Sequence, residues 1–250
     1  MTERTKLGLI GKNISYSFSK NYFTEKFRKL NLNQLRYDNY DLPEIDEFPF
    51  ILYMRRDEFV GFNVTIPYKK AIMRYLDELD EVAETIGAVN TIKVDEDDRL
   101  IGYNTDVYGF ENALKPLLKN THDKALILGT GGASMAIEYT LKKLGIACQF
   151  VSRSSTETAM PYDELTTQII NEHTLIINCT PVGTYPNTDE CPPIPYEGIS
   201  QDHLLFDLIY NPEETLFLKR GKENGATIKN GQEMLELQAE QSWTIWNLNK

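Results

Sequence analysis

ALILGTGGASMAIEY, residues 125–139, opens as a run of small and branched apolar residues, turns at Gly129, Gly131 and Gly132, and continues with helical spacing. Strand, glycine turn and helix in that order let backbone N–H groups and a helix N-terminus cradle a pyrophosphate. The third fingerprint position is Ser134 rather than Gly, so the spacing alone fits a plain glycine-rich βα turn as well. The next strand ends at Ser152-Arg153-Ser154, about twenty residues on, where NAD-binding units carry an Asp or Glu for the ribose 2′-hydroxyl. A guanidinium flanked by hydroxyls donates to phosphate oxygens, so this position favours NADP over NAD. A surface cation at a strand end is the plainer alternative.

Outward from that turn, residues 124–128, 147–151, 175–178, 204–207 and 227–229 read as buried strands, with helices over 133–144 and 215–224. This is an α/β unit with a dinucleotide-binding pattern. The polar stretch KNTHDK, residues 119–124, separates it from an upstream module. There, 6–10, 35–40, 59–66, 88–94 and 99–103 read as strands, and 20–30 and 68–79 as helices, a second α/β arrangement. Residues 232–248 carry apolar side chains at partly helical spacing and read as a long closing helix that either module could receive.

The composition bounds the function. The 250 residues are 41% hydrophobic, enough for real cores, and the formal charge of −11 without a Lys/Arg-rich stripe argues against a nucleic-acid partner. Cys148, Cys179 and Cys191 have neither CxxC spacing nor an even count, so no metal site or disulfide framework is expected, and a reducing cytoplasm is the natural home. No uncharged run approaches bilayer length, and MTERTKLGLIGKN lacks a signal-peptide core, so no membrane association is expected.

In GFNVTIPYKK, residues 61–70, alternation places Phe62, Val64 and Ile66 on one face of a strand and Asn63 and Thr65 on the other. Pro67 ends the strand, and the spacing predicts a helix over 68–79 with Lys69 in its first turn. There the macrodipole disfavours the charged ammonium and would suit a lysine that exchanges protons. On this segment alone a solvated surface lysine is the favoured reading. In INCTPVGTYP, Asn178, Thr180 and Gly183 are able to approach a ligand or to serve as ordinary turn residues, and Tyr210 in DLIYNP fits a polar-tipped core aromatic. His122, His173 and His203 fall in no motif, so a histidine acid/base is not expected.

Taken together, SYSFSK (15–20), NVTIPYK (63–69), GAVNT (87–91), GYNTDVYGF (102–110) and NGQEMLELQ (230–238) resemble the signature segments of the shikimate dehydrogenase family, nearly end to end. The resemblance implies a two-domain α/β protein: a substrate-binding catalytic domain of residues 1–106 plus 232–250, and a Rossmann-like NADP-binding domain of residues 107–231. It implies reversible reduction of 3-dehydroshikimate to shikimate with NADPH in aromatic amino-acid (chorismate) biosynthesis. Lys69 and Asp106 would form the catalytic pair, Ser17 and Ser19 would hold the substrate carboxylate, and Asn63, Thr65, Asn90, Tyr210 and Gln238 would line the polyol site. Cofactor contacts are implied at Gly129, Gly131, Gly132, Ala133, Ser134, Ser152, Arg153, Ser154, Thr180, Leu208 and Gly231. No metal is implied, and monomer and homodimer are both compatible.

The chemistry of such a site agrees with these residue types. A small ring bearing a carboxylate and hydroxyls calls for neutral donors and acceptors with few charges. Reducing its ketone needs a hydride from the nicotinamide and a proton for the alkoxide, which an ammonium supplies. The chain departs from the family pattern at Lys20, where Pro is common and an extra cation is expected near the site. Glu233 stands where Gly is common, and no second basic residue follows Arg153. The single arginine leaves an NAD-dependent quinate/shikimate dehydrogenase as the nearer alternative. A non-catalytic nucleotide-sensing protein is more distant, because Lys69 and Asp106 are both present.

Overall fold

The structure, a computed structural model, describes residues 4–15, 17–53 and 56–247. Tyr16 of SYSFSK and Leu248 of the closing helix lie outside the described residues. The chain divides into two compact units, Met1–Thr105 with Ala239–Lys250, and Asp106–Gln238.

The first unit contains β1 (Lys6–Gly11), α1 (Phe18–Lys29), β2 (Arg36–Asp41), α2 (Phe48–Tyr53), β3 (Phe59–Val64), β4 (Glu78–Leu79), α3 (Glu81–Ile86), β5 (Thr91–Val94) and β6 (Leu100–Tyr103). Its sheet has the order β2-β1-β3-β5-β6-β4. β1 runs parallel to β2 and β3, β5 antiparallel to β3 and β6, and β4 parallel to β6. Alternation along β1 and β3 sends Ile10, Phe62 and Val64 into one core with Phe48 and Ile72. Leu7 and Leu9 face a second core with Phe23, Tyr37 and Trp246, whose indole N–H donates to Ile92 O at 2.9 Å.

The helix expected over 68–79 does not form. A hydrogen-bonded turn leads to a 3₁₀ segment, Ala71–Tyr75, and then to β4. Two tertiary demands override the helical spacing. The Tyr68 hydroxyl donates to Leu42 O and Pro43 O, pinning the turn, and Asp77 N and Asp80 N donate to Leu100 O and Gly102 O, drawing the chain onto β6. Ile66 is 73% exposed rather than core-facing, because β3 stops at Val64 and the chain turns at Pro67 before the alternation reaches it.

The second unit contains α4 (Asp106–Leu114), β7 (Lys124–Leu128), α5 (Gly132–Lys143), β8 (Ala147–Ser152), β9 (Ala159–Pro161), α6 (Thr167–Glu172), β10 (Leu175–Asn178), β11 (Leu204–Asp207), α7 (Leu216–Glu223), β12 (Thr227–Lys229) and the start of α8 (Gln232–Asn247). Its sheet is parallel throughout, in the order β12-β11-β10-β7-β8-β9. Counted from β7 this is the doubly wound order, with its switch point between β7 and β10. Both faces are covered: Ala125 and Ile127 pack with Phe110, Ile137 and Phe206, while Leu126 and Leu128 pack with Val151, Ile176 and Phe217. Among the described residues no helix is long and apolar enough to cross a membrane.

Candidate active site

In the first unit a buried polar cluster gathers on the strand β3 and its neighbours. Asn63 and Thr91 are direct partners in the β3–β5 register. The Asn63 amide donates to Thr91 Oγ1 at 3.2 Å, Asn90 O at 3.3 Å and Ser242 Oγ at 3.0 Å, and its Oδ1 accepts from the Tyr37 hydroxyl at 2.8 Å. Tyr37 in turn hydrogen-bonds Ser19, and burial pushes its phenol well above the ordinary value. Asn90 Oδ1 accepts from Thr105 N at 2.7 Å, Thr105 Oγ1 at 3.1 Å and Thr91 Oγ1 at 3.3 Å, which fixes the orientation of its amide. Thr91 and Ser242 share a 2.7 Å hydrogen bond.

Lys69 sits on the turn after β3, half-buried, with its carbonyl accepting from Val89 N at 2.8 Å. That bond ties the lysine segment to the residue before Asn90. With the short 3₁₀ segment Ala71–Tyr75 in place of an α-helix after Lys69, the dipole expected to act on its ammonium is reduced to that of a brief turn. Thr65 is half-buried and donates its N–H to Ile10 O. Ser17 caps α1, accepting from Lys20 N at 3.5 Å, and Ser19 is buried in the first turn. The extra cation at Lys20 reaches Asp38, its Nζ 3.4 Å from the carboxylate, with both side chains about half exposed.

The second unit holds the remaining expected residues. Asp106 is the first residue of α4 and buried, where a carboxylate complements the positive end of the helix dipole. Gln238 is buried and donates to Leu235 O at 3.0 Å; Tyr210 is 39% exposed, and partial burial raises its phenol. Glu233 is exposed and ion-paired with Lys229.

The glycine turn lies at the carboxyl end of β7. Gly129 has φ +102°, and a Cβ there would stand 2.9 Å from Thr180 Cγ2, so the turn needs glycine both for its backbone and for this approach. Gly131 is the N-cap of α5 with no side-chain cap, the first turn holds no acid, and a Cβ on Gly131 would meet nothing within 4 Å. Gly132 and Ala133 open the helix. Ser134 is different: its hydroxyl and its N–H both donate to Gly131 O, at 2.6 and 3.1 Å, so it braces the loop from a fully buried position.

At the end of β8, the Ser152 hydroxyl donates to Ser154 O, and Arg153 is exposed. Arg153 and Ser154 line a cavity of about 590 Å³ together with Tyr162, Asp163, Glu164 and Pro193. Leu208 and Gly231 are brought together: a Cβ on Gly231 would fall 2.1 Å from Leu208 O, which excludes every other residue.

Asn178 is turned inward, its polar atoms spent within the protein. It is fully buried, accepts on Oδ1 from Thr180 N (3.0 Å) and Thr180 Oγ1 (2.7 Å), and donates to Asp207 Oδ1 (3.1 Å). The histidines are likewise spent on the backbone. His122 Nδ1 accepts from Lys119 N, His203 Nδ1 accepts from Ser200 N, and His173 Nδ1 lies 2.7 Å from Ile169 O.

A parallel doubly wound sheet with a glycine turn after its first strand, in a chain whose other unit carries a buried polar cluster, defines a two-domain α/β protein with a Rossmann-like dinucleotide-binding domain. A family model described as the shikimate dehydrogenase substrate binding domain matches residues 9–92. Shikimate dehydrogenase (NADP(+)) of Clostridium botulinum is 39% identical over 251 residues, spanning 97% of this chain and 96% of the relative. A crystal structure of a shikimate dehydrogenase in complex with NADP+ superposes with a TM-score of 0.87 at 32% identity, covering 99% of this chain and 91% of that one. The shikimate 5-dehydrogenase of Thermus thermophilus in complex with NADP(H) and shikimate gives 0.85 at 28% identity, covering 97% and 93%. The chain belongs to the shikimate dehydrogenase family.

Sequence reasoning missed Tyr37, Thr91, Thr105 and Ser242 in the first unit and Asp207 and Thr215 in the second. Two signals were available: Thr91 and Thr105 adjoin Asn90 and Asp106, and Ser242 lies one helical turn after Gln238 on the same face. Tyr37 left no local signal.

Proposed function

We propose that this chain reversibly reduces 3-dehydroshikimate to shikimate with NADPH, in aromatic amino-acid biosynthesis and in the cytoplasm, with Lys69 as proton donor and acceptor and Asp106 as the second member of the catalytic pair. The observation that carries this reading is the bond from Val89 N to Lys69 O, which sets the lysine segment beside Asn90 in a chain matched over 97% of its length by a named shikimate dehydrogenase. The free cysteines suit a reducing compartment.

The residues at the glycine turn fit a dinucleotide. The uncapped first turn of α5, free of acids and open beside Gly131, suits a pyrophosphate held by backbone N–H groups, and Arg153 with Ser154 suits a 2′-phosphate. When bound, NADPH supplies the hydride. The protein does the rest: Ser17 donates to the substrate carboxylate, Ser19 joins it by turning its one hydroxyl proton from the Tyr37 oxygen to the carboxylate, and Thr65, Asn90, Tyr210 and Gln238 meet the hydroxyls. Asn63 acts from behind, its amide spent on Tyr37, the Asn90 carbonyl, Thr91 and Ser242, so that it ties down the backbone at Asn90 while Thr91 and Thr105 orient the Asn90 amide. The Lys69 ammonium gives its proton to the oxygen that gains charge as the carbonyl is reduced, and takes it back in the reverse direction.

Asp163 and Glu164 share the cavity with Arg153, and two carboxylates near one guanidinium weaken a 2′-phosphate site. This favours an NAD-dependent quinate/shikimate dehydrogenase as the second reading. Initial rates with shikimate and quinate, each with NADP+ and NAD+, decide between them. Highest kcat/KM is expected for shikimate with NADP+, and a clear NAD+ preference refutes the cofactor assignment. Lys69→Ala should lose at least about a thousandfold in kcat, within the range for a lost acid/base, while shikimate still binds; turnover at the parental rate would refute its role.

A further inference from the structure

Thr180 bears the contact expected of the β10 loop, yet its hydroxyl is consumed inside the protein: it donates to Asn178 Oδ1 at 2.7 Å and accepts from Val182 N at 3.3 Å. What Thr180 gives the site is therefore shape. Its methyl packs on Gly129, where a Cβ would come within 2.9 Å of Thr180 Cγ2, so its position sets how closely the β10 loop approaches the glycine turn. These two loops flank the switch point between β7 and β10, where doubly wound sheets bind their ligands.

Asn178 controls that position. Its Oδ1 faces a group that can only donate, the Thr180 N–H at 3.0 Å, and its Nδ2 faces a carboxylate oxygen of Asp207 at 3.1 Å. A primary amide of this length is the side chain that accepts on one side and donates on the other; Asp would set two carboxylates against each other, and Leu would satisfy neither partner. Asp207 is itself fixed, accepting from Thr215 Oγ1 at 2.6 Å and from Ile209 N at 3.0 Å, and it is fully buried. Its Ile209 bond ties in the β11 loop that carries Leu208 and Tyr210. Anchored strand ends thus set the outline of two loops through one amide.

We infer that Asn178 is a positioning residue for dinucleotide binding: bridging Asp207 and Thr180, it holds the β10 loop against Gly129 and so presets the switch-point crevice before the cofactor arrives. The inference rests on the proposed use of NADP(H), and it assigns to Asn178 no contact with either ligand.

The test is NADPH affinity by fluorescence titration of the full chain without substrate, alongside thermal melts. Asn178→Ala should weaken the Kd for NADPH at least about tenfold, an amide lost from a buried network. Thr180→Val keeps the methyl packing but removes the hydroxyl's bonds to Asn178 and Val182 N, and should weaken it at least about threefold. At saturating NADP+, the KM for shikimate should stay within about twofold for Thr180→Val, whereas general damage to the protein would raise it in step with a lower melting temperature. A Thr180→Val chain that binds NADPH as tightly as the parent, or whose shikimate KM rises with its loss of stability, overturns the inference whatever Asn178→Ala does. A parent that binds NADPH without oxidising shikimate would sink the proposed reaction and leave the Kd comparison decisive; a parent that binds no NADPH sinks both.

Discussion

Asp207 shows what burial does to one residue. Desolvation is the largest influence on its carboxyl, outweighing the bonds from Thr215, Ile209 N–H and Asn178, and pushes its pKa from 3.8 up to about 6. The folded chain therefore keeps this proton over a range in which the unfolded chain has released it. Stability from this group is present at low pH and is lost as pH rises through about 6, amounting to roughly 1.4 kcal/mol between about pH 5 and 7.5. The thiol of Cys179 and the phenol of Tyr196, both sensitive to Asp207, are pushed up by burial and stay neutral throughout. Asp207→Asn removes the titration while keeping an acceptor for Asn178. Its melting temperature relative to the parent should accordingly be about 2–5 °C more favourable at pH 7.5 than at pH 5. His122, whose ring burial keeps neutral, weakens both chains equally as pH falls and cancels in the difference. A melting difference that does not change with pH would mean that Asp207 titrates as an ordinary surface acid.

At the scale of elements, legibility followed length and locality. The β7 strand, glycine turn and α5 were readable because each residue's role is set by its immediate neighbours, and α1, α7 and α8 because several helical turns repeat one pattern. The stretch 68–79 misled because Asp77 and Asp80 are claimed by β6, a partner about twenty residues away in the chain. α2, α3 and α6 span six residues each, too few for a period to emerge, although Asp80 and Gly87 do cap α3 with recognisable chemistry. Among site residues, motif members such as Lys69 and Asn90 could be found from their signatures, whereas Tyr37 and Ser242 meet Asn63 only because strand register and helix face bring distant positions together. One element also carries two proposed duties: Ser17 caps α1 and is assigned to the substrate carboxylate. Ser17→Asp separates them. An aspartate is as good a cap and suits the helix dipole, so the melting temperature should stay within about 2 °C, while repulsion of the substrate carboxylate should raise the shikimate KM at least about tenfold. Ser17→Ala should instead cost about 0.5–2 kcal/mol of stability. An unchanged KM in Ser17→Asp would remove Ser17 from the substrate site.

For the molecule as a whole, the telling fact is that α8 serves two compact units with separate cores. Met234 and Leu237 pack with Phe110 and Phe206 in the second, while Ala239, Ile245 and Trp246 pack with Leu7, Phe23 and Tyr37 in the first, where Ser242 also completes the polar cluster. The unit that begins the chain is therefore finished by residues that arrive last. Losing one large buried aromatic costs about 3–5 kcal/mol, and Trp246 together with Ile245 and Ser242 approaches the whole stability of an ordinary domain. The second unit keeps its parallel sheet, glycine turn and both cores within residues 106–238. A chain ending at Gln238 should thus lose the structure of its first unit, seen as protease sensitivity before residue 106, and lose shikimate oxidation entirely, yet still bind NADPH within about tenfold of the parent, a difference of about 1.4 kcal/mol. Loss of NADPH binding along with turnover would show that the second unit does not stand by itself, and surviving turnover would show that the last helix is dispensable to the substrate site.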